Sequence, residues 1–288
     1  MVNDFFKHNI AGWIRYDDYE WKTGPDGYEY LMPVPGAKHQ LYKVFEDVDA
    51  LVIDAIETAM TVNVCREDDA ELHRVIRKFV CKYGLLGIMT ALPATTKFLD
   101  YEKVFLPKNI LIREEVLDTQ QYLDMFFPFA RPDFTDEPES GKMGDQHKLI
   151  FELFPYPQTV LMEASNCYGE RFDWLKAVFQ DWMFVFLSVL VYNDKKDEMD
   201  PELVGDLQDG LSVFDGNAPT YHFRLHDGPV LVWDFHSLLL ALQMAISIML
   251  TDSKRPIKFC KGCGKLFVAK NANAKYCSKN CRGKRLDE

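Results

Sequence analysis

KFCKGCGKLFV (residues 258–268) and KYCSKNCRGKR (residues 275–285) are the most specific stretches in this 288-residue chain. Cys260 and Cys263 form one close pair and Cys277 and Cys281 another, giving C-x2-C-x13-C-x3-C. Two close pairs at this distance are the layout of a tetrahedral zinc site with four thiolate ligands. Two disulfides, four unlinked thiols and an iron–sulfur cluster are the rival readings; the surrounding lysines argue against the cluster. Four cysteines close the coordination shell and leave no position for water, so one structural zinc is expected rather than a catalytic one. Gly262 and Gly264 permit a tight turn at the first pair. The i, i+4 spacing of the second pair puts both thiolates on one side of a starting helix. Leu266, Phe267, Val268 and Tyr276 supply the small apolar core such a module needs.

Charge divides the chain at the same place. Residues 254–288 hold eleven Lys and Arg against Asp287 and Glu288, a balance of +9. Residues 1–253 hold 22 basic and 42 acidic side chains, a balance of −20, and the whole chain carries −11. A zinc ion with four thiolates lowers the tail to about +7. The sequence therefore divides into an acidic body, 1–253, and a basic four-cysteine zinc finger, 254–288. With 48% hydrophobic and 27% charged residues, disordered, collagenous and coiled-coil classes are excluded. Cys65, Cys81 and Cys167 stand alone, which is no disulfide framework and points to a reducing cytoplasm. The first twenty residues lack the pattern of a signal peptide. The apolar runs Trp182–Tyr192 and Leu238–Leu250 are shorter than the about 20 residues a bilayer requires, so no membrane contact is expected.

The body reads as α+β: mainly helical, with small β-hairpins. Aromatic residues flank Thr23-Gly-Pro-Asp-Gly27, which predicts a hairpin of 12–22 with 27–34. Acidic neighbours make those aromatics core rather than a base-stacking surface. Apolar periodicity from Leu41 to Ile56 and from Leu72 to Tyr83 predicts two helices, the second opened by Glu67, Asp68 and Asp69 and closed by Gly84. Further helices are expected at about 113–126, 170–193 and 235–251. Residues 132–147 read as a polar linker, 194–210 as a solvated acidic loop, and 221–225 with 229–235 as a second hairpin.

The cysteine-rich end resembles the CGNR-type zinc finger that closes a group of bacterial proteins with an ABATE-like N-terminal part, or the end of a related bacterial family. The residues that carry the resemblance run from Leu250-Thr-Asp-Ser through Phe259-Cys to Arg285, about residues 230–288 with the preceding hairpin and apolar helix. The chain departs from that pattern at Cys281-Arg-Gly-Lys-Arg285, which replaces Cys-Gly-Asn-Arg. Val268-Ala-Lys270 also stands where an acidic residue is usual. The resemblance implies a nucleic-acid-binding, transcription-regulating role.

The tail has the charge for that role. Lys258, Lys261, Lys265, Lys270, Lys275, Lys279, Arg282, Lys284 and Arg285 surround the cysteines, and neutralised phosphates would make binding salt-sensitive. Of these, Lys265, Lys270, Lys275, Lys279, Arg282, Lys284 and Arg285 are the expected phosphate contacts. Asn271, Asn273 and Asn280 are candidates for hydrogen bonds to bases or, more ordinarily, for turns. The competing readings are a finger docked on the acidic body, a protein-interaction module or partner-inhibiting protein whose zinc only secures the fold, and a metal-dependent enzyme using His222, Arg224, His226, Asp234 and His236. No phosphate loop or nucleophile motif accompanies those residues, so catalysis is the weaker expectation. A protein partner or small ligand on the body is left open.

Overall fold

The computed structural model describes residues 5–6, 11–91, 101–106, 111–112, 114–131, 166–195, 198–212, 219–225 and 228–283. The expected linker at 132–147, together with His226, Lys284 and Arg285, lies outside them. Among the described residues helix outweighs strand, and every sheet is small and antiparallel.

The first four strands are β1 (Gly12–Tyr16), β2 (Tyr19–Thr23), β3 (Glu29–Pro33) and β4 (His39–Lys43). The expected single hairpin is only half correct. β2 pairs with β3 across the Gly-Pro-Asp-Gly turn, whereas β1 pairs with β4, Gly12 opposite Lys43. The strand breaks at Asp17-Asp18 because their side chains serve the corner. Asp17 Oδ1 accepts the Lys38 amide at 2.9 Å, and Asp18 Oδ1 accepts the Tyr19 amide at 2.8 Å. The turn itself is held by Asp26, whose carboxylate accepts the Tyr28 amide and the Tyr30 hydroxyl.

Helix α1 (Val48–Val64) begins seven residues later than the apolar periodicity suggests. Leu41 belongs to β4, and Val44–Asp47 form a 3-10 turn. Asp47 sets the start by accepting the Ala50 amide. Helix α2 (Asp69–Tyr83) fits its expected signals: Asp68 accepts the Glu71 amide, and Gly84 closes it at φ +90°. β5 (Lys103–Phe105) pairs with β6 (Val116–Asp118), so the helix expected at 113–126 is shortened to α3 (Thr119–Phe126). Asp118 caps α3 by accepting two amides, from Gln120 and Gln121.

β7 (Glu170–Arg171) adds to β3 as the third strand of its sheet. The long helix then runs as α4 (Phe172–Ala177), a π-turn at Val178–Trp182 and α5 (Met183–Lys195). Taken over Phe172–Asn193, it is long and apolar enough by length and composition to cross a membrane, which the shorter 182–192 reading missed. In this fold half of that stretch is buried, with Trp174, Leu175, Phe179 and Phe186 in the core. The acidic loop expected at 194–210 is corrected: Pro201–Ser212 is helix α6. Asp200 Oδ1 accepts the Glu202 amide, and Pro201 occupies the first helical position, where its missing N–H costs nothing.

The second hairpin forms as expected, β8 (Thr220–Leu225) with β9 (Pro229–Asp234). It leads into α7 (Leu238–Leu250), capped by Ser237 accepting the Leu240 amide at 3.0 Å. Gln243 is buried within α7, consistent with a core role. The chain ends in β10 (Ile257–Phe259), β11 (Leu266–Val268) and the short helix α8 (Lys279–Gly283). Ile257 and Leu266 belong to the same apolar core as α1, α2, α5 and α7.

Candidate metal centre

β10 and β11 pair antiparallel with Phe259 opposite Leu266, so the chain reverses between them on the first cysteine pair. The Gly264 amide donates to the Cys260 carbonyl, and the Cys260 amide to the Lys265 carbonyl, both at 2.8 Å. Gly264 sits at φ +72°, a conformation that a side chain disfavours. Gly262 is required for a different reason. A Cβ there would lie 2.6 Å from the Cys281 carbonyl oxygen, so the first turn and the second pair touch.

The second pair arrives through a loop that holds its own shape. The Lys261 amide donates to the Lys275 carbonyl at 3.0 Å, and the Cys277 amide donates to the Cys260 sulfur at 3.3 Å. Ser278 Oγ accepts the Cys281 amide at 3.2 Å, where α8 begins. The helix starts at Lys279 rather than at Cys277.

The four sulfurs lie within 4.8 Å of one another. Cys263 and Cys277 are 3.7 Å apart, and Cys277 and Cys281 3.5 Å. A disulfide needs about 2.05 Å, so no pair is bonded. A tetrahedral metal with bonds of about 2.3 Å to sulfur places its ligands about 3.8 Å apart, close to these distances. Protonation differs across the group. Amides of Cys277, Gly262 and Cys263 directed at the Cys260 sulfur bring it down to about 6. The neighbouring Cys281 and Cys260 sulfurs push Cys277 up to about 12. Four thiolates this close repel one another unless a cation lies between them. The cluster can therefore hold a metal ion, and among the described residues it is the only such group.

The module rests on the body through its apolar side. Ile257, Leu266 and Ala269 are buried, and Arg255 Nη2 lies 2.8 Å from Asp49 Oδ2 of α1. Away from that contact the module exposes its cations. Lys261, Lys265, Lys270, Lys275, Lys279 and Arg282 are all exposed, and none pairs with a carboxylate among the described residues. Lys258 differs from them: its ammonium donates to the Ala272 carbonyl at 2.6 Å and so holds the loop. Asn271 is also structural, its side chain accepting the Asn273 amide in a turn.

His222, Arg224 and Asp234 occupy β8 and β9 opposite Val232, Val230 and Thr220, and His236 Nε2 contacts Thr220 Oγ1 at 2.6 Å. Sequence reasoning also passed over Glu170, a fully buried carboxylate outside the cysteine module.

Compared with protein-family models, curated proteins and solved structures, the chain matches none.

Proposed function

We propose that the C-terminal module is a treble-clef-like finger built on one structural zinc, and that its basic face binds nucleic acid. The observation that carries this reading is the set of six exposed cations on one small module. None has a carboxylate partner among the described residues, on a chain whose remainder carries −20. Docking the module by its apolar side and Arg255 leaves that face available. The acidic body repels phosphate, so contact is confined to one end of the molecule. Lys284 and Arg285 extend the same charge along the chain. The resemblance to CGNR-type fingers is in keeping with this role and with a cytoplasmic regulator. Zinc suits a donor set of four thiolates better than hard cations, which prefer oxygen. With its coordination shell closed, the metal holds the backbone that presents the cations and takes no part in chemistry.

The test is fluorescence anisotropy on labelled duplex DNA and on single-stranded RNA across a salt series. Four phosphate contacts would weaken binding roughly 100-fold between 50 and 200 mM salt. Replacing Lys275, Lys279 and Arg282 by Glu is expected to abolish binding while leaving the metal content intact. Binding that survives this charge reversal, or that ignores salt, contradicts the reading.

A further inference from the structure

Hairpin β8–β9 turns an apolar face to solvent. Its register sets Tyr221 opposite Trp233, Phe223 opposite Leu231 and Leu225 opposite Pro229. Side chains alternate along a strand, so these six share one face. The other face carries Val232, which is buried, and Val230, which is 39% exposed; on the outer face Trp233 is partly buried against the core. On the outer face Tyr221 is 59% exposed, Phe223 69%, Leu225 81% and Leu231 40%. The Tyr221 ring meets Phe223 at 6.3 Å and Trp233 at 5.7 Å, edge to face, so the aromatic part is already assembled. A contiguous apolar patch left in water marks an interaction surface.

We propose that this face is where two copies of the chain meet, packed hairpin on hairpin about a twofold axis. The six side chains carry no charge, whereas each chain carries −11 overall. Two acidic bodies repel one another wherever their surfaces are charged, and this uncharged face is where they can approach most closely. A strongly charged partner would bury its charges here without counterparts, which is costly. A second copy brings an identical apolar face, the self-complementary match that a twofold interface requires. The area fits as well. The exposed parts of these side chains amount to on the order of 500 Å² per copy, within the range of functional patches on monomers. Two such faces bury about 1,000 Å², at the lower limit for a specific interface, so association in the micromolar range is expected. This inference stands apart from the nucleic-acid reading.

Sedimentation velocity on the full zinc-loaded chain, from about 1 to 200 µM, tests it. The expected result is a monomer–dimer equilibrium whose dissociation constant rises at least about tenfold in Phe223→Lys and stays near wild type in Phe223→Tyr. Circular dichroism and the thermal midpoint of the monomer should be unchanged, because Phe223 is an exposed side chain on the outer face. A chain that remains monomeric at the highest concentration overturns the proposal. So does a Phe223→Lys variant that dimerises as tightly as wild type. Single-stranded oligothymidylate added to the same runs probes the other occupant. If it co-sediments with a monomer and is lost in Phe223→Lys, the face binds bases and the dimer reading fails.

Discussion

Glu170 has lost all contact with water, yet both of its carboxylate oxygens are satisfied. Its Oε2 accepts the Leu86 amide at 2.8 Å, and Oε1 accepts the Gly87 and Ile88 amides and the Tyr168 hydroxyl. The Tyr168 oxygen in turn accepts the Met89 amide at 3.3 Å. One carboxylate thus anchors the segment after α2 to β7. Replacing Glu170 by Ala strands three buried amides and a hydroxyl, so a loss of about 3 kcal/mol or more is expected in urea denaturation. Gln keeps the Oε1 contacts but sets its NH2 against the Leu86 amide, for a smaller loss. Burial holds the Glu170 pKa above the ordinary carboxylate range despite its four donors. Its contribution is therefore fullest below the unfolded pKa and is lost as pH rises through the folded one. That decline should be missing from the pH–stability profile of Glu170→Gln, and its persistence there would assign it to another group. Gly84 makes a second point at this scale. Its φ is +90° and a Cβ would lie 2.4 Å from the Ile14 carbonyl oxygen, so Gly84→Ala should cost roughly 1–3 kcal/mol. The four cysteines were legible in the sequence because their spacing is itself the signal. Glu170 was not, because its three amide donors lie 82 to 84 residues away and Tyr168 beside it is no distinctive signal.

Elements defined by local chemistry were legible for the same reason. α2 follows from Asp68, an apolar face and Gly84; β8–β9 follows from a turn between alternating residues; α7 follows from Ser237 and an apolar run. Asp68→Ala should lower stability by about 1 kcal/mol in thermal melts, the ordinary worth of a helix cap. No change would mean that the Glu71 amide finds another acceptor. The pairing of β1 with β4 was not legible, since residues 17–38, which contain another hairpin, separate Tyr16 from its partner His39. α6 was misread for a different reason. Its acidic composition outweighed the Asp200-Pro201 pair, which is a local start signal that could have been used. At the C-terminal end, spacing identified both cysteine pairs but not the Lys261–Lys275 and Cys260–Cys277 hydrogen bonds that bring them together.

At the scale of the whole molecule, the division of charge has acquired a geometry. The acidic body and basic module share one core through Ile257 and Leu266, and Arg255 is the module's one ion pair to the body among the described residues. That half-exposed pair adds little stability, so apolar packing is the main tie to the body and, on the proposed reading, a metal joins the two cysteine pairs. Chelation should therefore loosen residues 257–283 and raise their hydrogen exchange, while α1 and α2 remain protected. All of this depends on the four sulfurs binding a metal, and metal analysis of the purified chain by mass spectrometry addresses that directly. One zinc per chain, lost in Cys277→Ser and replaceable by cobalt with thiolate charge-transfer absorption, is the expected result. A metal-free chain whose C-terminal module is folded and indifferent to chelator would contradict it.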